Sequence, residues 1–304
     1  MSRYVNLAGM AFGLAATAIW GGMYVVSKVV LDVIPPFTLL GLRLVIAVVL
    51  LAAVNAALGG EWPRGRAAVR LLAVGMLGFG LSVGMQFVGT RLSTAANGAL
   101  VTSASPAFIV LFAYLLLNEP ITRQRLAALA LATLGAVIVA LGNTGGTAPS
   151  ATLSGNLALL VAAVTWALYS VLVKQAAASH AVLAVSLYAM AGGLLVTLVA
   201  APFELAAIPL GRITLDVVWG VLYLGIASTA LAMYLWNKAL ALLDAGVVSL
   251  LFFAQPVVGA LLGRVFLHEP LGPAFYIGGA LILAGVGLVS VRQVQRTTQG
   301  EVTT

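Results

Sequence analysis

Few residues in this chain could do chemistry, and their spacing points to binding rather than catalysis. The 304 residues include 8 acidic side chains, 2 histidines and no cysteine. His180 and His268 fall at the ends of apolar stretches, and no Asp or Glu lies deep inside one. The HxxEH and HExxH metal motifs, a glycine-rich phosphate loop and a GxSxG elbow are all absent. Ser and Thr are frequent, but no histidine sits within an apolar stretch to activate them. We therefore expect no enzyme, no cofactor and no metal site.

What remains is a set of polar and aromatic side chains embedded in apolar sequence. Trp20 and Tyr24 are four apart and share a helix face. Trp166, Tyr169 and Ser170 form a related group, since Trp20 matches Trp166 and Lys28 matches Lys174 at an offset of 146. Ser82 pairs with Gln86 on one face, and Tyr234 and Asn237 follow Ser228 further on. Asn97 and Ser105 precede Pro106, and Ser249 and Gln255 precede Pro256. Flat rings hold apolar or aromatic parts of a solute, or pack one helix on another. An amide facing hydrocarbon leaves its hydrogen bonds unmade, so Gln86, Asn97, Asn237 and Gln255 face protein or a wet cavity. We assign Trp20, Tyr24, Ser82, Gln86, Asn97, Trp166, Tyr169, Ser170, Tyr234, Asn237, Ser249 and Gln255 to a substrate cavity, with interhelical contact as the alternative for each.

Composition dictates the elements that position them. With 62% apolar residues, 8% charged residues and a mean hydropathy of +1.13, the chain reads as an integral membrane protein. Spans are expected at 7–29, 37–58, 69–88, 94–117, 124–142, 156–175, 180–201, 214–237, 245–267 and 272–291. The first is read as a retained helix, because no cleavage site and polar mature domain follow it. The net charge of +7 is scattered over the connections, which speaks for topology rather than nucleic-acid binding. A cytoplasmic N-terminus puts ten of the basic residues on inner connections and tails against four outside, so both termini are expected in the cytoplasm.

The chain also repeats itself. Ala95 to Ile121 aligns without a gap on Ala245 to Leu271, and Pro106, Glu119 and Pro120 face Pro256, Glu269 and Pro270. The same offset of 150 pairs Gly75 with Gly225 and Gly135 with Gly285. Five spans per half is an odd number, so the second half enters the membrane inverted. The expected fold is an all-α integral membrane protein, with ten transmembrane helices in two five-helix inverted-topology repeats around a central cavity. The repeats cover 1–145 and 155–292, joined by a Gly/Thr/Ser/Pro-rich linker, and 293–304 forms a cytoplasmic tail.

Pro106 and Pro256 each remove a backbone hydrogen bond, and the matching kinks are read as hinges, with fixed packing bends as the alternative. Glu119 and Glu269, each before a proline at a span end, are read as fixing the turn by accepting from the N–H groups of the next helix. Arg43 lies about a third of the way along the second span. It snorkels or pairs with a carbonyl or Asp32 in the structural reading, which we prefer, and neutralises a substrate carboxylate in the functional one.

The two halves, the Glu-Pro endings, Pro106 and Pro256, and the stretch TAIWGGMYVVSK at 17–28 resemble the EamA family of the drug/metabolite transporter superfamily over residues 7 to 291. Within it, size and texture resemble the YddG-like aromatic amino-acid exporter branch. The resemblance implies a ten-helix inverted-repeat transporter of the bacterial cytoplasmic membrane, with a cavity lined by the first, third, fourth, sixth, eighth and ninth helices. It implies alternating-access export of amino acids, aromatic and other neutral ones, or else of drugs or other small metabolites. Partners are then a small-molecule substrate and the lipid bilayer, with the monomer as the working unit. A non-transporting membrane interaction protein is the reading from another class.

Overall fold

The structure is a computed structural model that describes residues 2–92, 104–142, 153–266 and 276–286, with positions 273 and 288. Asn97, Glu269, the linker residues 143–152 and the tail 293–304 lie outside the described residues, as do the side chains of Tyr24 and Pro256. Among the described residues every regular element is helical. Helix α1 is Ser2–Leu31 and α2 is Pro36–Ala57. Helix α3 runs through Arg66–Gly75, a π-helical stretch Met76–Val83, and Gly84–Leu92. Then come α4, Ser105–Leu117, α5, Arg123–Gly142, α6, Leu153–Ala177, and α7, Val182–Ala207. Helix α8 repeats the α3 pattern as Leu215–Tyr223, π-helical Leu224–Leu231 and Ala232–Leu242. Helix α9 is Ala245–Leu251 and Ala254–Phe266, broken by a turn at 252–253, and α10 is Tyr276–Val286.

Six of these stretches are long and apolar enough to cross a bilayer: Tyr4–Met23, Pro36–Ala57, Arg66–Gly89, Ser154–Ala177, Val182–Ala207 and Leu215–Leu242. Their outward faces carry large exposed apolar side chains, among them Val49, Leu198, Phe203 and Trp219. A soluble protein does not leave such a surface bare, and lipid covers it.

Small residues set the closest helix approaches. A Cβ added at Gly75 would stand 1.8 Å from the Ala189 carbonyl oxygen of α7, and one at Gly192 would stand 2.0 Å from the Leu72 carbonyl oxygen of α3. Backbones meet there because neither residue has a side chain. Gly75→Val is expected to lower thermal stability by about 3 kcal/mol or more, at the upper end for overpacking, since a backbone atom cannot rotate away. Thermal unfolding in detergent checks it, and an unchanged midpoint contradicts it.

The helix ends are fixed by chemistry that crosses the chain. Helix α4 ends at Asn118 in the left-handed conformation (φ 54°), with the Glu119 amide donating back to the Ala113 carbonyl at 3.1 Å, and Pro120 prevents continuation. Helices α2, α7 and α9 have no side-chain cap of their own at the N-terminus. A distant carboxylate serves each. Glu204 accepts from the Phe37 and Thr38 amides at 3.1 and 2.8 Å. Glu61 accepts from the Ala181 amide at 3.1 Å and touches His180. Glu119 accepts from the Ala245 and Gly246 amides at 2.8 and 3.2 Å. A carboxylate at these positive ends satisfies orphan donors and complements the helix dipole.

The expected role of Glu119 therefore needs correction. It serves α9, 126 positions away, rather than the next helix α5. The reason is charge: Arg125 of α5 and Lys174 of α6 approach it at 3.6 and 3.8 Å, and hold it against the α8–α9 turn.

Candidate functional site

The cavity forms where the middles of α1, α2, α3, α4, α6, α8 and α9 converge. Its walls are Trp20, Met23, Arg43, Ser82, Val83, Gln86, Phe87, Ser105, Ala162, Ala163, Trp166, Met233, Phe252 and Gln255. It offers about 60 Å³ to the centres of water-sized molecules, several times the ~10–15 Å³ that one ordered water needs.

The aromatic wall begins with Trp20 and Trp166, equivalent positions of the two halves. They meet edge-on with centroids 5.9 Å apart at 79°. Trp236 and Phe252 pack on Trp20 at 5.3 and 6.1 Å, and Tyr169 backs Trp166 at 5.1 Å. The Trp20 indole N–H donates to the Ser228 carbonyl at 3.0 Å. That carbonyl belongs to the π-helical stretch of α8, where the altered ladder leaves backbone groups for outside partners. In the same stretch the Thr229 hydroxyl donates to the Leu224 carbonyl at 2.7 Å. The α3 stretch does likewise, with Ser82 donating to the Ala162 carbonyl of α6 at 2.8 Å.

Arg43 is the charged member. Its side chain is buried rather than snorkelling, and Nε donates to the Thr229 hydroxyl at 3.0 Å. Nη2 reaches the Ser228 hydroxyl and the Met23 sulfur, both at 3.4 Å, while Nη1 has no hydrogen-bond partner. No carboxylate among the described residues lies within ion-pair distance, Asp32 included. Of the structural reading of Arg43, as snorkelling or as a partner of a carbonyl or Asp32, the snorkelling and the Asp32 pair are corrected: it is a buried cation held by two hydroxyls of α8 and lining the cavity.

The structure brings Trp20, Ser82, Gln86, Trp166 and Gln255 together on the wall, and Ser105, the counterpart of Gln255, joins them. Five other assigned residues stand elsewhere. Ser170 donates to the Trp166 carbonyl and Ser249 to the Gly246 carbonyl, each within its own helix. Asn237 donates to the Ser186 hydroxyl of α7 at 2.9 Å. The Tyr169 hydroxyl faces Asn237 without a well-formed hydrogen bond, behind the wall. Tyr234 is half-buried beside Met233, which takes the wall position on α8. Asn237→Leu removes only an interhelical bond, worth about 0.6–2 kcal/mol in membranes, so transport is expected to change no more than about twofold. A tenfold loss in vesicle flux places Asn237 in the site after all.

Pro106 stands in the first turn of described α4, and the α9 break at 252–253 lies just before Pro256 and turns Phe252 and Gln255 toward the cavity. Met23, Phe87, Met233 and Phe252 are wall residues that polarity and pairing between halves do not pick out, whereas Arg43 is marked by its charge in an apolar span.

Comparison with known proteins now decides the class. The pattern of the EamA-like transporter family matches this chain twice, over residues 7–141 and 153–291. The chain belongs to the EamA-like transporter family. Among relatives of this EamA-like transporter, "Uncharacterized transporter YetK" of Bacillus subtilis (strain 168) is 30% identical over 302 residues, 97% of this chain and 88% of its own. "Probable terminal-alkyne amino-acid exporter" of Streptantibioticus cattleyicolor is 29% identical over 296 residues, covering 96% and 97%. "Protein PecM" of Dickeya dadantii is 28% identical over 283 residues, covering 91% of each. A solved crystal structure superposes with a TM-score of 0.78 at 25% identity, over 94% of this chain and 98% of that one. The EamA-like chain is thus an integral membrane transporter and not an enzyme.

Proposed function

We propose that this transporter exports amino acids, aromatic and other neutral ones, from the bacterial cytoplasm by alternating access between two inverted five-helix halves. The observation that carries the reading is the position and lining of the cavity. Both halves supply its walls, rings from each half meet in it, and its polar groups are amides, hydroxyls and one cation. Such a lining holds an apolar side chain and hydrogen-bonds a carboxylate and an ammonium. One relative bears the name of an amino-acid exporter, which supports the same substrate class.

The inverted repeat with ten crossings is supported by the pairing of helices. Helix α1 packs on α8 and α9 as α6 packs on α3 and α4, and α3 packs on α7 as α8 packs on α2. Gly135 of α5 meets the Gly278 carbonyl of α10, and Gly285 meets the Ala128 carbonyl in return. These partner relations are returned when each helix is replaced by the one five further on. The caps agree with strict alternation of direction, since each joins helix ends that alternation puts on one side. In this reading 1–145 and 155–292 are the repeats, 293–304 is a tail in the cytoplasm with the N-terminus, and the monomer suffices. Pro106 and Pro256 act as hinges beside the cavity.

Counterflow of radiolabelled phenylalanine into proteoliposomes of the purified chain tests the reading, and its absence for every neutral amino acid removes it. With no acidic residue among the described residues of the cavity wall, uptake is expected without an imposed pH gradient. Strict dependence on a gradient contradicts that facilitated mode. Export of hydrophobic cations is the competing reading, and a wall with one cation and no anion disfavours it.

A further inference from the structure

The charge of the cavity is uneven, and this deepens the proposed function by stating which end of the substrate is recognised. Arg43 is 3% exposed about a third of the way along α2, whose other buried residues are apolar except Asn55. All of its hydrogen-bond partners, Thr229, Ser228 and Met23, are neutral. Nη1 is buried without a partner, and Arg43 is one of the residues that line the cavity. A cation left so in the bilayer interior is costly unless an anion joins it. The described carboxylates cannot do so. Glu61, Glu119, Glu204 and Asp244 are engaged at helix ends, and neither they nor Asp32 and Asp216 form an ion pair with Arg43. A second orphan donor belongs to another lining residue, the buried indole N–H of Trp166. Among the described residues no acidic side chain lines the wall to receive an ammonium. The second half supplies no opposing charge either, since the position comparable to Arg43 falls near Tyr188, whose hydroxyl donates to the Pro63 carbonyl at 2.9 Å.

We propose that Arg43, assisted by the Trp166 N–H, is the carboxylate-recognition residue of the cavity, so that the transporter selects apolar solutes bearing a carboxylate and does not require their ammonium group. Thr229 and Ser228 then orient the guanidinium by holding Nε and Nη2, leaving Nη1 aimed at the solute. The substrate anion completes the pairing that the protein leaves open, as a charge-assisted bond in a dry setting. Release of the anion returns the cavity to a single uncompensated charge, which favours refilling by another carboxylate.

The inference rests on the proposed function, and three matched probes separate their failures. L-phenylalanine, 3-phenylpropanoate without the ammonium, and phenylalaninamide without the carboxylate are titrated against the purified full chain in nanodiscs. Binding is read by quenching of tryptophan fluorescence. 3-Phenylpropanoate is expected within about tenfold of phenylalanine, and phenylalaninamide at least about tenfold weaker than both. Equal binding of the amide and 3-phenylpropanoate overturns the carboxylate role while leaving amino-acid transport standing. Loss of 3-phenylpropanoate alone overturns the claim that the ammonium is dispensable. Binding of none of the three removes the substrate class and the inference with it. Arg43→Gln is expected to erase the preference for acid over amide, and Arg43→Lys to restore part of it. Because Arg43 also braces α8, Trp166→Phe provides an arm that leaves its contacts intact. It is expected to weaken both carboxylates about threefold or more and to leave the amide unchanged, and equal weakening of all three counts against the assignment.

Discussion

Glu119→Ala is expected to open the cavity to water on the side of the α4–α5 corner and to lower thermal stability by about 3–5 kcal/mol, the usual cost of removing one partner from a buried ionic group. Glu119 is 8% exposed and joins four elements at once. Its oxygens cap Ala245 and Gly246 of α9 and lie beside Arg125 of α5 and Lys174 of α6. Arg125 pairs further with Asp244 and donates to the Pro120 carbonyl at 3.0 Å, and Lys174 donates to the Leu240 carbonyl at 3.0 Å and to that of Leu243. The alanine variant leaves two cations facing each other and returns two helix-start donors to orphan status. Any movement that separates the corner from the α8–α9 turn must break the same contacts, so the wild-type cluster is expected to hold that side shut. Glu119→Gln keeps one acceptor for the α9 amides but loses the charge, and is expected to fall between. The chain has no cysteine, so Ser105→Cys on the cavity wall reports access without background. Its rate of labelling by a membrane-impermeant maleimide should rise about tenfold in the Glu119→Ala background. Unchanged labelling at unchanged stability removes the latch.

The sequence disclosed most of what periodicity and composition can carry. Apolar length located six of the spans among the described residues, with Pro36–Ala57 against an expectation of 37–58 and Leu215–Leu242 against 214–237. Equivalent residues of the two halves, Trp20 with Trp166 and Ser105 with Gln255, converge on one cavity. Two kinds of information were illegible. The π-helical stretches Met76–Val83 and Leu224–Leu231 are decided by packing, and their sequences, MLGFGLSV and LGIASTAL, carry no proline or cap to announce them. Rotation about the helix axis was the other. Met233 and Tyr234 differ by about 100°, and only the neighbours decide that Met233 faces in. Polarity misled where a hydroxyl could satisfy itself locally, as for Ser170 and Ser249. It also misled for Arg43, because a rule that long cations snorkel weighs one side chain against lipid. The Thr229 and Ser228 hydroxyls of α8 gave this one an inward alternative.

Trp20→Ala is expected to be the most damaging single change at the cavity, through two separable losses. The indole is 3% exposed, and its removal leaves a void among Trp166, Trp236 and Phe252, at a cost of about 3–5 kcal/mol for a buried aromatic. It also removes the bond from the indole N–H to the Ser228 carbonyl, worth about 1 kcal/mol, which ties α1 to the π-helical stretch of α8. Trp20→Phe separates the two, since it keeps most of the ring area and loses only the donor. Thermal stability should fall in the order wild type, Trp20→Phe, Trp20→Ala, with the larger step at the second. Flux should follow the ring rather than the donor. Stacking of an aromatic substrate part on the indole contributes about 0.5–1.5 kcal/mol, so phenylalanine affinity should drop roughly three- to tenfold in Trp20→Ala and alanine affinity much less. Measured on vesicles matched for protein content, equal losses for phenylalanine and alanine mean that Trp20 holds helices together without touching the solute. A loss confined to phenylalanine makes the meeting point of the two halves the place where the substrate side chain is read.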